Sequence, residues 1–306
     1  MNFPEQYWEL LRARFRNQFP EFYAKLPALA ELIRLNKPIG IYLLLWPTIG
    51  ALWIAARGVP DWSLLFIFII GTAVMRSAGC CVNDFADHVI DGQVRRTEQR
   101  PLVRDALTRQ DALLCFITLS LLGFALVLLT NQKTILLSFA AIALVAIYPF
   151  MKRYTNLPQV ILGLAYSWGI LMAFAAQTNA IPQIAWLLFV ANCLWTVAYD
   201  TQYAMVDREY DLQIGVKSTA ILFGDMDKMM IALLQGMFVF ALWLAGRQLE
   251  MGLMFNLGLL VASALLLYQQ FLIKDRFPGP CFKAFLNNNW VGAVIFIGVL
   301  LGMPIN

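Results

Sequence analysis

Nine stretches of the chain are continuously apolar: residues 39–56, 62–82, 110–129, 134–150, 158–177, 183–203, 229–246, 251–273 and 288–303. Several reach the roughly 20 residues that a helix needs to cross a hydrocarbon core about 30 Å thick. The period-2 alternation of an outer-membrane barrel is missing. The pattern predicts an all-α polytopic membrane protein with about nine transmembrane helices. Composition agrees: 60% of the 306 residues are hydrophobic, 14% are charged and the mean hydropathy is +0.66, outside the usual range of a soluble domain.

Charge orients the spans. Nineteen of the 23 Lys and Arg residues lie in the N-terminal segment and in the loops after spans two, four, six and eight. The opposite loops hold Arg57, Lys133 and Arg247, and Arg76 sits inside span two. The positive-inside rule then places the N-terminus and the even-numbered loops in the cytoplasm and the C-terminus in the periplasm, with the protein in the cell inner membrane. Residues 1–38 mix basic residues with aromatics and leucines and lack the apolar core of a cleavable signal peptide. Residues 1–33 therefore read as an interfacial amphipathic segment and 34–306 as one membrane domain, since no linker rich in Pro, Gly or Ser divides it.

The five cysteines have no metal-ligand spacing and read as small hydrophobes, and the one histidine, His88, leaves little room for a Ser/His/Asp triad. Chemistry here must run on carboxylates, Lys, Arg and Tyr.

Span two ends in NDFADHVID and span six in YDTQYAMVDREYD. On a helix, Asp84, Asp87 and Asp91 share a face, with Asn83 beside them; Asp200, Asp207 and Asp211 share another, with Tyr203 on it. Both clusters fall on the cytoplasmic side. Like carboxylates at this spacing repel, and near the headgroups they also lose hydration, so a cation must compensate. All-oxygen ligands select hard ions, and Mg²⁺ takes one or two carboxylates while keeping phosphate oxygens and waters in its shell. Two such helix ends facing each other would hold two Mg²⁺ ions with a diphosphate between them. Arg95, Arg96 and Arg100 after the first cluster, Lys152 and Arg153 in YPFMKRYTNLP, and Lys217 after the second would help to neutralise the diphosphate. Arg76 lies within a membrane span, where an unpaired guanidinium is costly, and should meet an anion: a substrate carboxylate or a cluster aspartate.

These residues resemble the UbiA superfamily of intramembrane aromatic prenyltransferases. Its first motif, N-D-x-x-D-x-x-x-D, is matched by Asn83, Asp84, Asp87 and Asp91; its second, D-x-x-Y-A-x-x-D-x-x-x-D, by Asp200, Tyr203, Ala204, Asp207 and Asp211. LNKPIGIYLLLWPTIGALW, MRSAGCCVNDFADHVIDGQVRRTEQRPL, YPFMKRYTNLPQ and YDTQYAMVDREYDLQIGVKSTAILFG resemble the branch that acts on 4-hydroxybenzoate in ubiquinone biosynthesis.

The resemblance implies a nine-helix fold around a central cavity, Mg²⁺ dependence, and transfer of a polyprenyl chain from its diphosphate to the ring carbon ortho to the hydroxyl of 4-hydroxybenzoate. On that reading Asn83, Asp84, Asp87, Asp91, Asp207 and Asp211 hold the metal, and Arg95, Lys152, Arg153 and Lys217 assist the diphosphate. Asp200 polarises the acceptor phenol, Tyr203 orients the diphosphate, and Arg76 or Arg34 holds the acceptor carboxylate. Tyr148, Tyr166, Trp168 and Trp195 are candidate cavity walls that shield the allylic cation from water. The partners expected are the two substrates and the lipid bilayer, with no nucleic acid and no obligate protein. Homogentisate, a naphthoate or haem is the alternative acceptor within the family. A cation-coupled transporter is the rival outside it, disfavoured because the carboxylates gather at one face of the membrane instead of near its midplane.

Overall fold

The computed structural model describes residues 3–93 and 96–304, which contain helices and no strand. Two helices precede the bundle: α1 (Phe3–Gln18) and α2 (Pro20–Leu32). Then follow α3 (Ile39–Ala56), α4 (Trp62–Asp91), α5 (Arg109–Val127), α6 (Gln132–Met151), α7 (Pro158–Thr178) and α8 (Gln183–Ile214). A short α9 (Thr219–Phe223) leads into α10 (Asp227–Gln248), followed by α11 (Leu253–Leu272) and α12 (Pro278–Gly302). Among the described residues nine helical segments are long and apolar enough to cross a membrane, with α9 and α10 counting as one. The chain is a multi-pass membrane protein.

Local signals mark the breaks. Between α3 and α4 the chain turns at Arg57 and Gly58, with φ of 54° and 147°, and α8 stops at Gly215 in the left-handed region at φ 72°. The capping box of α5 joins Thr108 to Asp111, whose carboxylate also receives Lys25 of α2 at 2.9 Å. Ala28 and Leu32 of α2 pack with Cys81, Leu102 and Leu107, so the second half of the N-terminal segment lies against the bundle.

Three helices differ from the apolar pattern. The spans expected to close at 82 and 203 continue as α4 to Asp91 and as α8 to Ile214, so both acidic motifs lie on unbroken extensions of the membrane helices. Hydropathy ends these spans early because it scores each aspartate alone and not the cation it meets. Likewise α12 begins at Pro278 and not at 288: Lys283 and the NNN triplet look like a loop, but the asparagines find partners across helices.

Those partners form an amide network inside the bundle. Gln269 of α11 accepts from Gln202 of α8 at 3.0 Å and from Gln235 of α10 at 2.8 Å, and donates to Asn287 of α12 at 3.0 Å. Asn288 donates to Gln202 at 3.1 Å and accepts from Trp195 at 2.8 Å. A polar group in hydrocarbon is costly unless paired, so the network fixes α8 against α10, α11 and α12. About three turns along the same two helices, Gly258 and Gly298 let α11 and α12 touch backbone to backbone; a methyl at residue 258 would lie 3.1 Å from the Gly298 Cα.

Candidate active site

One cavity of about 1040 Å³ receives part of each acidic motif; Asp87, Asp91 and Asp211 are not in its lining. Asn83 and Asp84 reach it from α4, and Asp200, Tyr203 and Asp207 from α8. Arg34 and Arg76 line it as well, as do Tyr148, Tyr166 and Trp168 of the expected aromatic wall. Trp195 does not: it is buried among the helices, bonded to Asn288 and stacked on Phe238. Its helical position turns it toward α10 and α12, which spacing along α8 alone does not disclose.

The carboxylates of α4 are nearly closed to solvent, with Asp84 at 1% exposure and Asp87 at 2%, and basic side chains cover them. Arg34 grips Asp84 through Nη2 at 2.7 and 2.9 Å. Arg100 donates Nη1 to Asp84 at 3.0 Å and to Asp91 at 2.5 Å, bridging the motif. Burial works against the charge on Arg100, but Asp84 and Asp91 outweigh it and hold the guanidinium above its ordinary pKa range. Lys152 pairs with Asp87. On the second motif Arg96 sends Nε to Asp207 at 3.0 Å and Nη1 to the Tyr203 hydroxyl at 2.5 Å, with its guanidinium over the Tyr203 ring. The loop after α4 is thereby fastened to both motifs.

The expected diphosphate cations divide. Lys152 meets the first motif through Asp87 but does not line the cavity. Arg153 donates to the Ala86 carbonyl and lies over Phe150, while Lys217 reaches the Tyr154 carbonyl at 3.3 Å, and both stand outside the lining. Arg95 lies outside the described residues. Arg96, Arg100 and Arg104 do line the cavity. The sequence marks the first two only as a basic run after the first motif, and Arg104 carries no local signal; only the path of the loop brings all three to the site.

Arg76 makes no ion pair among the described residues. Its Nη1 meets the Cys80 sulfur, its buried Nε lacks a hydrogen-bond partner, and its guanidinium borders the cavity. Of the two anions expected for it, a cluster aspartate is therefore not the one it meets here; Asp84 is taken by Arg34 and Arg100.

For a metal, the donor set is suitable in kind: carboxylates and one amide, the oxygen ligands of a hard divalent ion. The buried Oδ1 of Asp87 has no hydrogen-bond partner and is free to ligate. Among the described residues no group of three carboxylates converges into a ready cage. Mg²⁺ takes few carboxylates and relies on substrate phosphate and water for the rest of its shell.

Comparison with known proteins follows the same line. Residues 44–299 match the UbiA prenyltransferase family. A 4-hydroxybenzoate octaprenyltransferase of Saccharophagus degradans is 58% identical over 278 residues, covering 91% of this chain and 93% of the relative. One of Pseudomonas aeruginosa is 56% identical over 270 residues, covering 88% and 91%. Among solved structures, a UbiA homologue of Aeropyrum pernix K1 superposes with a TM-score of 0.76 at 23% identity, covering 86% of this chain and 97% of the other. A UbiA homologue of Archaeoglobus fulgidus bound to GPP and Mg²⁺ superposes with a TM-score of 0.69 at 18% identity, covering 88% and 99%.

Proposed function

The chain belongs to the UbiA prenyltransferase family, and from that membership we propose that it transfers a polyprenyl group from polyprenyl diphosphate to the carbon ortho to the hydroxyl of 4-hydroxybenzoate. Diphosphate and 3-polyprenyl-4-hydroxybenzoate leave, in a reaction of ubiquinone biosynthesis. The observation that carries this reading is the meeting of Asn83, Asp84, Asp200, Tyr203 and Asp207 with Arg34 and Arg76 in one largely apolar cavity.

Asn83, Asp84, Asp87, Asp91, Asp207 and Asp211 are the residues that would hold Mg²⁺, which when bound neutralises charge on the diphosphate. As the allylic C–O bond stretches, negative charge gathers on the leaving group, and Arg96 and Arg100 stand at the cavity to stabilise it more than they stabilise the ground state. Lys152 supports the site by pairing with Asp87. Tyr203, held by Arg96, orients the diphosphate. Asp200 polarises the acceptor phenol, whose oxygen pushes density onto the neighbouring ring carbon; that carbon attacks, and loss of its proton restores the ring. Arg76, which forms no ion pair among the described residues, is the better placed of the two arginines for the acceptor carboxylate, because Arg34 is committed to Asp84. Trp168 and the other apolar walls keep water from the allylic cation.

We propose that this site faces the cytoplasm from the inner membrane, a reading supported by the excess of basic residues in the even-numbered loops. The test is transfer of label from radioactive 4-hydroxybenzoate into the organic phase, by protein reconstituted in lipid with a polyprenyl diphosphate and either Mg²⁺ or excess EDTA. Transfer that needs Mg²⁺ and is lost in Asp84→Ala and Asp200→Ala is the expected result. Prenylation of homogentisate or a naphthoate but not of 4-hydroxybenzoate would overturn the acceptor; no prenylation of any aromatic would overturn the reading.

A further inference from the structure

Gln159 closes the stretch YPFMKRYTNLPQ and stands in the first turn of α7, one residue after Pro158. It falls about one turn before Leu162 and two before Tyr166, so it extends the cavity-facing side of α7 toward the start of the helix. Gln159 itself is buried and lies outside the lining. A buried amide must find partners for both of its ends. Its Oε1 accepts the backbone N–H of Thr219 at 3.0 Å, and its side chain also hydrogen-bonds Asp200. A carboxylate can take that bond only from the amide nitrogen.

The amide is held in one direction. A backbone N–H can only donate, so it fixes Oε1 on Thr219 and leaves Nε2 to Asp200. Thr219 is pinned in turn: Thr201 donates its hydroxyl to the Val197 carbonyl at 2.6 Å, which leaves the Thr219 hydroxyl to donate to Thr201 at 2.6 Å. Thr201 and Thr219 are both closed to solvent. Two residues earlier, the N–H of Lys217 donates to the Lys152 carbonyl at 3.1 Å, so the loops after α6 and α8 are joined at the same place. Asp200 therefore rests on a frame built from three separate parts of the chain. Its partner also differs in kind from those of the other motif carboxylates. Asp84, Asp87, Asp91 and Asp207 each pair with an arginine or a lysine, whereas Asp200 receives a neutral amide.

Resting on the function proposed above, we propose that Gln159 is the positioning residue of Asp200: its amide, aimed by the Thr219 N–H, sets the carboxylate toward the acceptor phenol. Lying outside the lining, Gln159 touches neither substrate and acts by orientation alone. A neutral donor suits this task better than a cation, because it fixes the carboxylate without cancelling the charge that draws on the phenolic proton. Orientation of this kind is consequential, since a misplacement of about 1 Å at a reacting group costs on the order of 100-fold in rate.

The experiment measures kcat, the KM of each substrate and the Mg²⁺ concentration for half-maximal rate in wild type, Gln159→Glu and Gln159→Met, with thermal unfolding of each. Gln159→Met removes both hydrogen bonds, whereas Gln159→Glu keeps the size of the side chain and an oxygen for the Thr219 N–H and loses only the donor to Asp200. In both variants kcat is expected to fall about 20-fold or more, with the donor KM and the Mg²⁺ midpoint within about twofold of wild type. Gln159→Glu should unfold near the wild-type temperature. If Gln159→Met loses activity and Gln159→Glu does not, Gln159 only supports the start of α9 and the inference falls. A donor KM or Mg²⁺ midpoint that moves together with kcat, or failure of both variants to fold, would likewise mark a structural role and overturn it. Should Gln159→Met alone not fold, Gln159→Glu decides. An Asp200→Asn variant as active as wild type would overturn the role of Asp200 and this inference with it, leaving prenyl transfer in place. Wild-type protein that prenylates no aromatic would overturn the proposed function as well.

Discussion

The guanidinium of Arg76 rests against Gly40 of α3, so closely that a methyl group at residue 40 would overlap Nε and lie 2.7 Å from Cζ. Gly40→Ala is a good helix substitution in itself, so its effect must come through Arg76. We expect the KM for 4-hydroxybenzoate to rise about tenfold, equivalent to about 1.4 kcal/mol, with the donor KM changed less than twofold. Steady-state kinetics with each substrate varied in turn checks this. An equal loss toward both substrates would remove Arg76 from the acceptor pocket.

Arg96 ties the loop after α4 to Asp207 and Tyr203 of α8 through three nitrogens of one planar group. Lysine carries the charge without the fork. Arg96→Ala should lower kcat/KM for the donor about 100-fold, roughly 2.7 kcal/mol, and Arg96→Lys should recover only part of it. Equal activity of the two variants would mean that the fork geometry is unimportant.

Asp84 is shared by two arginines, and as a metal ligand it would be oriented by them. EDTA should abolish transfer and Mg²⁺ restore it. In Asp84→Asn the Mg²⁺ concentration for half-maximal rate should rise by an order of magnitude or more, because a neutral amide is a weaker ligand for a hard ion. A Mg²⁺ titration of initial rates reads this directly, and an unshifted midpoint would take Asp84 out of the metal site.

Gln269 satisfies three amides at once, those of Gln202, Gln235 and Asn287. Gln269→Leu strands them in the bundle interior, at a cost of about 1–3 kcal/mol for each group left unpaired and less where neighbours rearrange. The variant should unfold at lower temperature in detergent than wild type, while Gln270→Leu, which removes one donor at the network's edge, should fall between them. Thermal unfolding monitored by intrinsic fluorescence separates the three.

Much of the architecture could be read from the chain because burial in lipid demands long apolar runs, and six of the nine expected spans match helices to within about two residues. The three that differ involve α4, α8 and α12, where a polar residue stays in the membrane helix because a distant partner satisfies it. Arg100 reaches Asp84 from 16 positions away, but Asn288 and Gln202 are 86 apart. No local window sees such a pair. The motif residues themselves were legible, since spacings of three and four fix a common helix face wherever the helix goes.

Helical periodicity and charge asymmetry thus settle the class of protein, the number of crossings and the two acidic faces, because these depend on each residue's own hydrophobicity and its neighbours a turn away. They do not settle which cations meet which carboxylates, why Trp195 turns from the cavity, or that the cavity continues past Met75 to the α5–α6 turn. Those depend on how helices far apart in sequence lie against one another, and that is set by packing contacts and buried hydrogen bonds that exist only once the bundle has closed.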